Sequence, residues 1–295
     1  MALTVSQEYS ELREPNDHGT NKAIMKQKTA SVLLTILATT AAWAADTQFM
    51  QGLGDVRYHQ VESEGVGRGY HIYVRLPDGY AESEASYPTV YLLDGGNTFP
   101  MLAPYYQYLN FGEEVPDMIL VGISYGSDTV EGGNFRSTDF TAPSEERDYW
   151  GGATAFQAFL RNELFPIVES DYRSNANRRI VFGQSIGGQF VLFTAMTQPG
   201  LFWAHIASNP ALHRNLPFFL EAHADYGGPT QSKLFVASGT EDDALFREPA
   251  LEWIQFWQDK HVPWQMKTTD LEGHSHMSAP PAAFRAGLRW IFRDD

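Results

Sequence analysis

Short apolar runs alternate with stretches of helical period from Arg68 to the end of the chain. Arg68–Leu76 alternates residue by residue like a half-exposed strand, and Pro77-Asp78-Gly79 turns the chain after it. Thr89–Leu93 and Met118–Ile123 are continuous apolar runs, which suit strands covered on both faces. Arg179–Phe182, Ala204–Ser208, Leu234–Ser238 and Gln265–Thr269 are shorter strand candidates. Helical period fills the gaps. Ala153–Glu169 sets Phe156, Phe159, Leu160, Leu164 and Ile167 largely on one stripe. Ile186–Met196, Pro249–Lys260 and Pro281–Phe292 follow. The alternation predicts an α/β fold: a mostly parallel central sheet with helices on both faces. Asn97–Gly112 and Ser124–Gly152 are long, aromatic and weakly periodic, so they read as loops that cover a site.

The amino terminus follows a different logic. In Met25–Asp46, Lys26 and Lys28 precede the uncharged apolar run Ser31–Ala42, and Ala42-Trp43-Ala44 presents small residues where a signal peptidase reads. The run is too short to span ~30 Å of hydrocarbon as a permanent helix. Residues 25–44 therefore read as a signal peptide cut after Ala44, which places the product in the periplasm or outside the cell. Residues 1–24 are polar and aperiodic, and read as a non-native extension or a disordered leader, with Met25 as the true start. Residues 45–295 remain as a single catalytic domain, without an internal repeat or a linker.

Composition narrows the chemistry. The 43% of hydrophobic residues suffices for a core. A formal net charge of -15 opposes binding to phosphate backbones or to an anionic leaflet, so neither nucleic acid nor a membrane is an expected partner. The chain has no Cys, which excludes disulfides, thiolate metal sites and a cysteine nucleophile. His274-Ser275-His276 has no nearby ligand pair to complete a metal site, and neither a Walker loop nor a dinucleotide fingerprint follows a strand, so no metal or cofactor is expected.

The strongest local signal is Gly183-Gln184-Ser185-Ile186-Gly187, which joins a strand candidate to a helical pattern. G-x-S-x-G in that context is a nucleophile elbow, with the Ser on a strained turn at a helix amino terminus. A Ser hydroxyl needs a base, and the expected order is Ser, acid, then His near the end. The loop after the last strand candidate holds His274 and His276; we take His276, with His274 as the alternative, because neighbours two apart cannot both face one hydroxyl. For the acid, the turn after Leu234–Ser238 supplies Asp242, with Glu241 and Asp243 as competitors. Backbone N–H groups of an oxyanion hole would come from Ile186 and from the turn at Leu92–Asn97, where Gly96 is favoured over Gly95 and Asn97.

With these residues in place, the chain resembles the putative esterase family of α/β-hydrolases, which includes siderophore esterases, esterase D, feruloyl esterases and mycolyltransferases. The resemblance runs over about residues 55–293. It rests on Tyr91–Gly96, Val121–Tyr125, Arg136–Thr141, Gly183–Gly188 and Ser275–Ser278. It implies the α/β-hydrolase fold. It favours His276 over His274, since the siderophore-esterase branch has a His-x-Ser followed by Pro before the final helix. Some members of that branch rely on a Ser-His dyad, which leaves open whether Asp242 is needed. Arg136 is the cation on a candidate cover loop, facing either a substrate or a bracing carboxylate; with Tyr125 and Gln184 it forms the expected substrate-binding set. The expectation is an exported serine hydrolase acting on a small carboxylic ester. Acyl transfer or carbohydrate and feruloyl deacylation on the same triad is the alternative among enzymes, and an inactive binding protein on a hydrolase scaffold the alternative outside them. Tyr105, Tyr106, Tyr108, Phe111, Tyr149 and Trp150 on the two cover segments suggest an apolar or aromatic substrate group. The sequence specifies no oligomeric state.

Overall fold

The computed structural model describes residues 50–145, 147–221, 232–260 and 262–293; the signal-peptide and leader expectations lie outside the described residues. Eight strands form one sheet. In chain order they are β1 (Asp55–Ser63), β2 (Arg68–Leu76), β3 (Tyr87–Leu92), β4 (Ile119–Ser124), β5 (Ser174–Gln184), β6 (Ala204–Ser208), β7 (Ser232–Gly239) and β8 (Trp264–Leu271). Their order across the sheet is β1-β2-β4-β3-β5-β6-β7-β8. β2 is antiparallel to β1 and to β4, and every other pairing is parallel. This is the arrangement of the α/β-hydrolase fold.

Successive strand residues point to opposite faces, so a strand covered on both sides needs apolar residues throughout. Val90 and Leu92 of β3 accordingly belong to one core cluster, and Tyr91 and Leu93 to the other. The first cluster is closed by α1 (Gly95–Phe111) and α8 (Ala279–Ile291) through Phe99, Leu102, Phe284 and Leu288. The second lies under α3 (Ala153–Phe159), α4 (Phe165–Asp171), α5 (Ile186–Thr197) and α7 (Ala244–Trp257). A π-helical turn, Leu160–Leu164, joins α3 to α4, and two short helices, α2 (Arg136–Asp139) and α6 (Leu216–Phe219), complete the set.

Three departures from the sequence reading have physical causes. Asn97–Gly112 is not a cover loop: most of it is helix α1. Pro100 and Pro104 lie inside that helix, and each removes a backbone donor. The buried positions Gly95, Thr98, Phe99, Leu102, Ala103, Tyr106 and Leu109 nonetheless follow one helical stripe against the sheet. β1 was not anticipated because an edge strand reading DVRYHQVES carries polar residues on both faces. α7 starts at Ala244 rather than Pro249, because Asp243 caps it by accepting a 2.8 Å bond from the Leu245 N–H.

Candidate active site

The site lies at the carboxyl ends of β3, β5, β7 and β8. Ser185 directly follows β5 with φ 60° and ψ −118°, a left-handed conformation that is rare outside glycine. Its N–H donates to Ser208 O at 3.0 Å, and its carbonyl accepts from Gln189 N at 2.9 Å and Ala211 N at 3.0 Å. The turn is tight enough that a Cβ at Gly183 would approach the Gly187 carbonyl oxygen to 2.2 Å, so that position requires glycine. α5 starts immediately afterwards, and its first N–H groups, Ile186 included, have no acceptor within the helix.

The imidazole and the acid meet. His276 Nδ1 lies 2.8 Å from Asp242 Oδ2, with the Asp242 side chain only 1% exposed. The His276 ring packs on Phe246, ring centroids 4.3 Å apart. His274 turns into its own loop, its Nδ1 3.1 Å from Ser278 O. Of the competing acids, Asp243 is committed to capping α7 and Glu241 is exposed. Acid turn and histidine loop are packed against each other: a Cβ on Gly239 would come within 2.1 Å of His274 O, which also accepts from Glu241 N at 3.0 Å.

Ser185 and His276 line one cavity of about 650 Å3, together with Gly96, Tyr125, Arg136 and Gln184. Asp94 precedes α1 with φ 53°, and its carbonyl accepts the N–H groups of Asn97 and Thr98, both at 2.9 Å. The N–H of Gly96, in the first turn of α1, has no acceptor within the helix.

The expected substrate-binding residues are present on the cavity wall, each with a polar group engaged, while Gln184 Oε1 has no hydrogen-bond partner among the described residues. Arg136 Nε donates to Asp94 Oδ1 at 2.6 Å and its Nη2 to Oδ2 at 2.8 Å. Burial opposes the Arg136 charge; the hydrogen bonds and attraction to Asp94 outweigh it and raise the pKa. The Tyr125 hydroxyl donates to buried Asp139 at 2.9 Å, alongside Tyr70 at 2.7 Å and Arg68 at 2.8 Å. Tyr125 therefore offers its ring to the cavity, and burial, then Asp139, push its pKa well up. Gln184 Nε2 donates to His276 O at 2.7 Å, so it braces the histidine loop. The aromatic cover does not exist as expected. None of Tyr105, Tyr106, Tyr108, Phe111, Tyr149 and Trp150 lines the cavity, whose aromatic walls are Tyr73 and Tyr125. Tyr106 points into the core, its hydroxyl accepting from Met118 N at 2.7 Å.

Asn209 escaped the sequence reading. It is 1% exposed, has φ 40°, and follows β6 at the meeting point of three loops. Its Oδ1 accepts from Gly239 N at 2.9 Å, its Nδ2 reaches Ser275 O at 3.5 Å, and its own N–H donates to Ala237 O at 2.8 Å. The only signal was the turn-forming Ser208-Asn209-Pro210 directly after an apolar strand.

Comparison with known proteins bears on the family and the fold. The family model described as "Putative esterase" matches residues 63–290. Ferri-bacillibactin esterase BesA of Bacillus subtilis is 33% identical over 176 residues, a match covering 55% of this chain and 60% of that protein. The chain thus spans about three-fifths of the length of this curated relative. The structure of the BES protein from Bacillus cereus superposes with a TM-score of 0.70 at 22% identity, over 92% of this chain and 99% of that one. An IroE-like serine hydrolase from Shewanella oneidensis gives 0.72 at 25% identity, over 81% of each chain.

Proposed function

We propose that this chain, which belongs to the putative esterase family, is an exported serine hydrolase that cleaves carboxylic esters through an acyl-enzyme. The observation that carries the reading is the 2.8 Å Asp242–His276 pair on the wall of the cavity that also holds the strained Ser185. Asp242 occupies Nδ1, which leaves Nε2 as the ring nitrogen for the Ser185 hydroxyl. Ser185 Oγ attacks the acyl carbon while Nε2 takes its proton, and the imidazolium then protonates the departing alcohol. Buried Asp242 holds the tautomer and balances the charge that forms on the ring. The N–H groups of Ile186 and Gly96, each at the first turn of a helix, stabilise the tetrahedral oxyanion. Water, deprotonated by the same histidine, releases the acid.

The name of the Bacillus subtilis relative points to siderophore esters as the substrate class, a small-molecule partner that needs no cofactor for cleavage. The pattern at residues 25–44 supports export to the periplasm or beyond.

A fluorophosphonate probe tests the nucleophile: it should label the protein stoichiometrically and fail on Ser185→Ala. Labelling that survives this substitution would refute the mechanism. Amino-terminal sequencing of the exported protein tests the cleavage after Ala44, and a mature start well before Ala45 would refute it.

A further inference from the structure

The cavity at Ser185 is lined, among the described residues, by four acidic or basic side chains: Asp94, Asp128, Arg136 and His276. Their charges do not balance. Arg136 spends two donors on the two oxygens of Asp94, at 2.6 and 2.8 Å, so that pair contributes no net charge. His276 must be neutral to act as a base. Asp128 remains. It is exposed at the cavity wall and has no ion-pair partner among the described residues. Its position is defined by the turn around it: Thr129 N donates to Ser127 Oγ at 3.1 Å, and Asn134 Nδ2 to Ser127 O at 2.8 Å. Behind the His276 ring sits a second carboxylate, Asp242. The whole chain carries a formal charge of -15, so its net long-range field is negative as well.

From this charge inventory we infer that the site selects esters without negative charge near the scissile bond, and that Asp128 is the residue that sets the selection. The inference rests on the serine-hydrolase reading and adds the charge class of the substrate to it. An anionic ester entering the cavity meets one unpaired carboxylate at the wall, and the guanidinium on that wall is already charge-paired with Asp94. A neutral ester meets neither penalty. Across a partly hydrated cavity, one like-charge pair changes kcat/KM by roughly three- to tenfold, and salt screens it. For esters that exist in metal-free and ferric forms, the site favours whichever form carries less negative charge.

The test compares 4-nitrophenyl hexanoate with the monoanionic 4-nitrophenyl hydrogen adipate, which has the same acyl length and a terminal carboxylate. Both are measured at low ionic strength and at about 0.5 M salt, with Ser185→Ala as the blank. The hexanoate should be preferred in kcat/KM, the preference should shrink with salt, and Asp128→Asn should narrow the low-salt ratio by about threefold. The hydroxyls and carbonyls of the turn are untouched by this exposed substitution, and thermal unfolding of the variant verifies that it folds. A wild-type enzyme that prefers the adipate, or an Asp128→Asn ratio equal to that of the wild type, overturns the assignment while the hydrolase reading stands. If neither ester is turned over above the Ser185→Ala blank, the hydrolase reading itself fails, and this inference with it.

Discussion

Replacing Asn209 with Ala removes the acceptor of a 2.9 Å bond from Gly239 N, at a position where the loop has no access to water. A buried amide left without a partner costs about 1–3 kcal/mol. Holding Ala at φ 40° adds about 1 kcal/mol, because Asn tolerates the left-handed region better. Asn209→Gly escapes the second penalty and retains the first. For a chain of this size, Asn209→Ala should lower the melting temperature by about 5–10 °C, with Asn209→Gly intermediate. The functional consequence is separate. Gly239 opens the turn that carries Asp242, so loosening it displaces the carboxylate from His276 Nδ1. Misplacements of about 1 Å in a catalytic constellation cost up to ~10²-fold. Both variants should therefore lose about 10- to 100-fold in kcat with KM unchanged. Thermal unfolding followed by ester kinetics separates the two effects. Variants that melt early but keep wild-type kcat would reduce Asn209 to a structural brace; an Asn209→Gly protein with unchanged stability and rate would refute the argument altogether.

Asp242→Ala should lower kcat by about 10³-fold or more while His274→Ala leaves it within a few fold, measured with 4-nitrophenyl butyrate; the reverse ranking would place the base on His274. Tyr125→Phe removes one of the donors to buried Asp139 but keeps the ring in the cavity, so stability by denaturant titration should fall by about 1–2 kcal/mol with KM little changed; a large KM change would mean that the hydroxyl itself meets substrate. Buried His205 has its pKa pushed down from 6.5 to about 4 by desolvation. The unfolded chain therefore binds the extra proton first, and stability is lost as pH falls from about 6.5 towards 4, by about 3 kcal/mol at most. His205→Leu should flatten that acid limb in urea titrations, and an unchanged slope would refute the assignment.

Much of the scaffold could be read from residue pattern because a sheet covered on both sides demands unbroken apolar runs, which β3 and β4 have in sequence, while β2 shows the alternation of a half-covered strand. Ser185 was visible for a related reason. A strained turn between strand and helix restricts close neighbours to glycine, and Gly183 and Gly188 carry that restriction in the chain itself. What stayed hidden depends on contacts between distant segments. Pro100 and Pro104 masked the stripe of α1, whose inward side is defined only by the sheet beneath it. Arg136 was equally compatible with a substrate and with a carboxylate until Asp94, forty-two residues away, was placed against it. Asn209 has no motif, since its importance comes from where Gly239 and Ser275 arrive. Asp242 could be separated from its neighbours only once the start of α7 claimed Asp243.

A Cβ on residue 239 would come within 2.1 Å of the carbonyl oxygen of residue 274, so glycine there lets the two catalytic loops close on each other as one mechanical body. On the other side of the cavity, the segment 126–134 is stitched mainly by its own serine, threonine and asparagine side chains. Evolution can thus remodel what is admitted, by insertion or replacement within 126–134, while the reacting groups keep their registration. Any lengthening between 239 and 242, or between 273 and 276, would break the clasp and with it the chemistry.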